Sequence, residues 1–387
     1  MAEASSARSA CGIRIASSAS ASLRDAIAEL RLGLGDGEFQ HVLAFFSAAH
    51  EPESLFSALA TAFPDIPVTG CSTAGEITPA GMIENGVLLI AFPKEGFRIH
   101  TALIEGIGEF AVERASETVR RLKSQLRGDG DRKRADRAFA LMLVDGLSNA
   151  EETLVAAVHW AIDDVHLVGG SAGDGLAFRR TFLLHEGNIV SNAAVLIMVE
   201  TDFPFCVFKS QNFEPTAIKL VVTAADTRNR IVYELNAEPA ALEYASAIGL
   251  MPADLGPFSF AAYPLVVKVG GDYYCRSIRN MNPDGSLSFF CAIDEGLVFT
   301  VARPQDMVAS TTQALQEVDK SLGGVDFVLG FDCVLRRLDA ENRQIRHHME
   351  DIYRKFGVVG FQTYGEQFNA MHLNQTLTGI GFGRRPG

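Results

Sequence analysis

Gly70-Cys-Ser-Thr-Ala-Gly-Glu76, Gly169-Gly-Ser-Ala-Gly-Asp174 and Gly360-Phe-Gln-Thr-Tyr-Gly-Glu366 are three versions of one turn. Each follows a short apolar run and ends on an acid. Glycine and acid are six residues apart in the first and third, and five apart in the second, so the middle copy reads as one residue shorter. The same elements recur outward from each turn. Upstream lie a strand, a helix and a second strand: 41–47, 52–63 and 68–70; 139–144, 150–163 and 166–169; 326–331, 341–356 and 358–360. Downstream lie strands at 86–92, at 181–185 with 193–200, and at 373–382. Short apolar runs rich in β-branched and aromatic residues read as strands. Ile345, Met349, Ile352 and Phe356 recur at four, three and four residues, which marks one helical face. Pro52 can start the helix that follows it.

The stretch between the second and third copies reads as strands near 218–222, 265–269, 272–278, 287–291 and 297–301. Asn282-Pro-Asp-Gly285 is a turn, because proline presets φ and glycine accepts a positive one. Strands adjacent in sequence after each turn argue for mixed or antiparallel pairing. The expected class is therefore α+β: two domains with mixed sheets flanked by helices, built on repeated β-α-β-turn-β units. The expected limits are a flexible leader over 1–37, a first domain over 38–225 with copies at 41–105 and 138–210, and a second over 226–383 with the third copy at 325–383. Residues 127–137 read as a charged loop between the first two copies.

Composition narrows the function. The 387 residues carry 34 Lys and Arg against 47 Asp and Glu, a net charge of −13, which argues against binding a nucleic-acid backbone. The apolar runs at 87–92 and 193–199 fall far short of the roughly 20 residues that span a bilayer, so no membrane insertion is expected. The first 22 residues lack the apolar block of a signal peptide. Six scattered cysteines without a C-x-x-C fit a reducing, cytoplasmic setting and give no zinc knuckle. Glycine makes up 35 of the 387 residues, about 9% against an average near 7%.

The turns carry a family resemblance. Gly70–Glu76, with Leu143-Val-Asp-Gly-Leu-Ser148 and Gly169–Asp174, resembles the N-terminal FIST domain, named for F-box and intracellular signal transduction proteins. Tyr263-Pro264, Tyr274-Cys-Arg-Ser277, Asp284-Gly285, Thr363-Tyr-Gly-Glu366 and His372-Leu-Asn-Gln-Thr376 resemble the C-terminal FIST domain. Phe331-Asp-Cys-Val-Leu-Arg-Arg337, Tyr364-Gly-Glu-Gln367 and Met371–Thr376 look like the haem-binding, nitric-oxide-sensing branch of that family. That resemblance implies a stand-alone sensory protein that binds haem and regulates a separate histidine kinase. Its alternative is a metal-free sensor of an amino-acid-like ligand.

The candidate ligand residues are Cys71, Ser72, Glu76, Ser171 and Asp174 in the first two turns. Arg276, Cys333, Arg336, Tyr364, Glu366 and Asn374 join them from the C-terminal part, where Arg337 belongs to the same cluster. Exposed N–H groups of such turns can form an anion nest, and the acid can meet an amine; equally, the acid can simply hydrogen-bond its own turn. Arginine offers a planar fork for a carboxylate, and Arg336-Arg337 can equally be a solvated pair in a strand-to-helix loop. Of nine histidines, His372 is the candidate axial ligand of a haem iron. Cys71 in its glycine-rich turn leaves a thiol enzyme open, but no base stands near it in sequence, so an enzyme is not expected.

Overall fold

The structure is a computed structural model describing residues 4–109, 112–126, 136–269 and 271–384. Residues 127–135 of the charged loop lie outside them. Copy one comprises β1 (Ser5–Arg8), β2 (Arg14–Ser18), α1 (Leu23–Leu34), β3 (Phe39–Ser47), α2 (Pro52–Ala62), β4 (Val68–Thr73), β5 (Glu76–Thr78), β6 (Gly81–Ile83) and β7 (Val87–Pro93). Copy two comprises β8 (Phe97–Glu105), α3 (Val112–Lys123), β9 (Ala138–Val144), α4 (Glu151–Ile162), β10 (His166–Ser171), β11 (Leu183–His185), β12 (Asn188–Val190) and β13 (Ala193–Thr201). Copy three opens with β14 (Phe205–Gln211) and is then interrupted. The inserted stretch holds β15 (Phe213–Asp226), β16 (Ile231–Leu235), β17 (Glu238–Pro239), α5 (Ala240–Ile248), α6 (Pro257–Ala262), β18 (Leu265–Val269), β19 (Asp272–Arg276), β20 (Ile278–Met281), β21 (Leu287–Phe289) and β22 (Val298–Pro304). Copy three resumes with α7 (Met307–Leu322), β23 (Val325–Cys333), α8 (Val334–Asn342), α9 (Arg346–Phe356), β24 (Val358–Thr363), β25 (Glu366–Phe368), β26 (Met371–Leu373) and β27 (Thr376–Gly383).

Three sheets repeat one strand order: β2-β7-β3-β4, β8-β13-β9-β10 and β14-β27-β23-β24. In each, the two strands joined by the crossover helix are parallel and the outer pairs are antiparallel. The fourth strand is then extended by a hairpin from another copy. The β11–β12 hairpin of copy two joins β4, β25–β26 of copy three joins β10, and β5–β6 of copy one joins β24. The exchange runs once around the three copies and closes. This confirms the α+β, mixed-sheet expectation and ties the copies together by backbone hydrogen bonds.

The exchange also explains the residues. Strands such as Ala138–Val144 are buried along their whole length, because helices cover one face and the other sheets cover the other. Facing inward at matching register are Phe45, Leu143 and Phe331 on the first strands, and Cys71, Gly170 and Phe361 on the second. The Phe361 ring lies 4.6 Å from Phe45 and 5.4 Å from Phe331. It fills the space left by Gly170, where a Cβ would meet the ring at 2.8 Å. One position thus carries a thiol, nothing and a ring, which add up to one packed centre.

Three expectations change. Residues 1–37, expected as a leader, hold β2 and α1, which match β8 and α3 of copy two. Ser22 caps α1 by accepting from the Asp25 N–H. The helix expected over 341–356 is two helices, α8 and α9, broken where Gln344 takes a φ of +59°. Finally, the chain leaves the three-copy body at Phe213 and returns after Pro304, whereas the expected boundary was near residue 225. The inserted segment forms its own sheet, β19-β18-β22-β15-β16-β21-β20. No described helix is long and apolar enough to cross a membrane.

Candidate functional site

The three turns meet at one end of the body, at the carboxyl ends of the parallel strands, where open α/β sheets commonly bind ligands. Their acids close the turns. Glu76 accepts from the Thr73 hydroxyl at 2.6 Å and the Gly86 N–H at 3.3 Å. Glu366 accepts from the Thr376 N–H at 3.1 Å and its hydroxyl at 2.6 Å. Both are fully buried. Burial lifts the Glu76 carboxyl to about 8, so it holds its proton at neutral pH, and lifts the Glu366 carboxyl well above its ordinary range.

Asp174 is not the third member of this set. Pairing places Glu76 opposite Phe361, Glu366 opposite Gly170, and Leu183 opposite Cys71. The middle turn is therefore longer, and residues 174–182 are an added loop. Asp174 anchors that loop: its carboxylate accepts from the Phe178, Arg179 and Arg180 N–H groups at 2.8–3.0 Å and from the Tyr364 hydroxyl. Asp145 does the closing work here, accepting from the Asn192 and Leu147 N–H groups and the Thr181 hydroxyl. Its place in Leu143–Ser148 was the only sequence signal.

Most other candidates are also bound into the framework. Arg336 is 1% exposed, with donors on Asp332, Asn212 and Thr311 at 2.7–2.8 Å. It is therefore a saturated internal ion pair, not a solvated loop residue. Arg276 donates to the carbonyl of the preceding Cys275 at 3.3 Å and is absent from the lining of the Arg337 cleft. Ser72 Oγ accepts from the Phe182 N–H at 3.0 Å, and Ser171 Oγ from Gln367 Nε2 at 3.0 Å. Asn374 Nδ2 donates to the Tyr364 carbonyl at 3.1 Å. Cys71 and Cys333 are fully buried, and burial holds both thiols well above their ordinary pKa. Burial thus works against activation of Cys71 as a nucleophile.

One arginine of the cluster differs. Beside the turns lies a cleft of about 480 Å³, within the size range of small-ligand sites. Ser47 at the end of β3, Ala48 and Ala49 after it, Ala74 of the first turn, and Glu84 and Asn85 before β7 form one side. The loop from Asp174 to Arg180 forms the other, and Arg337 of α8 lines it from copy three. Alanines and Gly175 leave it open. Arg337 is only 4% exposed. Its Nη1 donates to the Ala74 carbonyl at 3.1 Å and lies 3.8 Å from Glu84, while its buried Nε makes no hydrogen bond among the described residues and lies 3.7 Å from the Glu341 carboxylate. Arg179 and Arg180 add two cations, and the Asp174 carboxylate is already engaged. The cleft therefore favours an oxyanion, with Glu84 in reach of a cationic group.

A haem does not fit at His372. The imidazole is 3% exposed, so it presents no open face to a group as large as a haem. Its Nε2 has no hydrogen-bond partner, as an axial ligand would. That edge faces the third turn, however: a Cβ on Gly365 would lie 2.6 Å from Nε2. Burial pushes the ring's pKa down to about 4. Among the described residues, no cluster of three or more His, Cys, Asp or Glu side chains could hold a metal ion.

Residues 40–238 match the FIST N domain model, and residues 240–369 match the FIST C domain model. FIST domains are associated with signal transduction and small-ligand sensing. The chain is also similar to an uncharacterized protein of Methanocaldococcus jannaschii. That match is 22% identical over 369 residues and covers 85% of this chain and 70% of that protein.

Proposed function

We propose, from the premise that this chain belongs to the FIST family, that it is a metal-free sensor whose small ligand binds in the Arg337 cleft. The observation that carries this is a nearly buried guanidinium, Arg337, that lines a cleft built by all three copies beside Arg179 and Arg180. A ligand carboxylate gains a charge-assisted pair from this guanidinium, whose existing contacts to Glu84 and Glu341 are long, at 3.8 and 3.7 Å. An amino-acid-like ligand suits the mixed charge, with its carboxylate on Arg337 and its amine toward Glu84. The small side chains around the cleft leave room for a modest substituent.

The output is a separate signalling protein. The family resemblance points to a sensor histidine kinase, and a reducing interior suits the buried free thiols. We assign the chain no reaction. A thermal-shift panel of amino acids and small carboxylic acids tests the reading, since a ligand of the folded state raises apparent stability. The absorption spectrum of protein from haem-replete cells tests the haem alternative. A haem band that persists through purification and disappears in His372→Ala would overturn the metal-free reading.

A further inference from the structure

The loop that lines the cleft is held from its back by the inserted segment. Phe178 stands between Asp174 and the two loop arginines, with its ring turned away from the cleft. The ring stacks 4.6 Å from Tyr364 of the third turn and 5.4 Å from Phe290 of the insert. Phe290 and Tyr364 are themselves 6.1 Å apart, so the three rings form one cluster. Tyr364 also donates its hydroxyl to Asp174, the anchor of the same loop. Phe178 has a φ of +52°, a conformation that a bulky residue keeps only when its surroundings impose it. The rings and the Tyr364 hydroxyl thus hold the loop in this conformation.

We infer that Phe178 is a latch coupling the cleft to the inserted segment, so that ligand occupancy is passed to residues 213–304 through the Phe178–Tyr364–Phe290 cluster. The inference rests on the cleft being the ligand site, and it supplies that site with a route outward. The ligand touches Arg179 and Arg180 on the cleft side, while Phe178 between them and Asp174 touches the insert. Whatever shifts the loop must reseat Phe178, and whatever moves Phe290 must loosen the loop. Such coupling is reciprocal.

Limited trypsin digestion tests the latch without any ligand, because trypsin cuts after Arg179 and Arg180 only when the loop opens. Phe290→Leu keeps an apolar side chain and removes the ring. We expect cleavage after these two arginines to rise about tenfold relative to cleavage after Arg24 and Arg31 on α1, as expected for the loss of aromatic contacts to a locally opening segment. An unchanged rate at the loop, or an equal rise at the loop and at α1, overturns the latch. A second arm adds millimolar L-glutamate to the wild type. If it raises the melting temperature, it should also alter hydrogen exchange in residues 213–304, and Phe290→Leu should abolish that alteration; exchange changes that persist in the variant overturn the latch. Failure of glutamate and the rest of the panel to bind counts against the ligand site alone, and the trypsin result still decides the latch.

Discussion

At the residue scale, burial decides which groups can act. Cys11, Cys71, Cys275, Cys291 and Cys333 are buried thiols with raised pKa, and Cys206, also raised, is the half-buried one. Iodoacetamide near neutral pH should therefore label Cys206 first and leave Cys71 untouched until unfolding; peptide mapping that finds Cys71 modified in folded protein would reopen the thiol-enzyme reading. Glu76 gives a pH signature. Its carboxyl sits at about 8 when folded against an ordinary 4.5. Between those values the folded chain holds a proton that the unfolded chain has lost, so stability from this group falls as pH rises. His372, lowered from 6.5 to about 4, works the opposite way, and its effect is complete by about pH 6.5. Melting curves from pH 6.5 to 9 should thus show wild-type stability falling, on the order of 2 kcal/mol from this group, with a shallower slope in Glu76→Gln. Parallel slopes would contradict the buried-proton account. The sequence led to Arg336 and Arg337 together but could not rank them. Only the fold separates them: Arg336 is neutralised by Asp332, four residues before it, whereas Arg337 lines the cleft.

At the element scale, the repeated glycines are where strand backbones touch. A Cβ on Gly70, Gly169 or Gly360 would come within 1.8–2.0 Å of the carbonyl oxygen of Ala44, Met142 or Gly330. Alanine at any of the three should cost at least about 3 kcal/mol or abolish soluble expression. Gly187→Ala, at an exposed turn with φ of +84° and open space, should cost about 1 kcal/mol. Chemical denaturation of the four variants measures the contrast, and equal losses would contradict it. The three β-α-β units were legible because spacing and hydrophobic period survive duplication. The exchanged hairpins were not, since nothing in a strand's own sequence states which copy it pairs with. For the same reason Asp174 looked like the partner of Glu76 and Glu366. Only cross-strand register separates a shortened turn from one enlarged by residues 174–182.

At the scale of the whole molecule, the inserted segment is fastened to the body by apolar packing of Ala261 and Phe290 and by polar contacts, among which Arg230 makes a buried ion pair. Its guanidinium is 3% exposed and reaches Glu151 at 2.9 Å and Glu152 at 2.6 Å, both in the first turn of α4. It also donates to the Phe290 carbonyl. Removing one partner of a buried pair typically costs about 3–5 kcal/mol. Arg230→Ala should therefore loosen the insert before the body, giving an early transition in hydrogen exchange over 213–304; uniform exchange across the chain would contradict this. The interruption of copy three between β14 and α7 was not readable in the sequence. Its first strand falls before the inserted stretch, so the sequence shows only a strand-rich region following the second copy. The central claim is that Arg337 receives the ligand. Isothermal titration of the best-stabilising compound from the panel should give binding to the wild type and a loss of at least about 100-fold in Arg337→Met, consistent with removal of a charge-assisted pair in a partly buried site. Arg337→Lys should recover part of it. Equal affinity in the wild type and Arg337→Met, with the variant folded, would contradict the account.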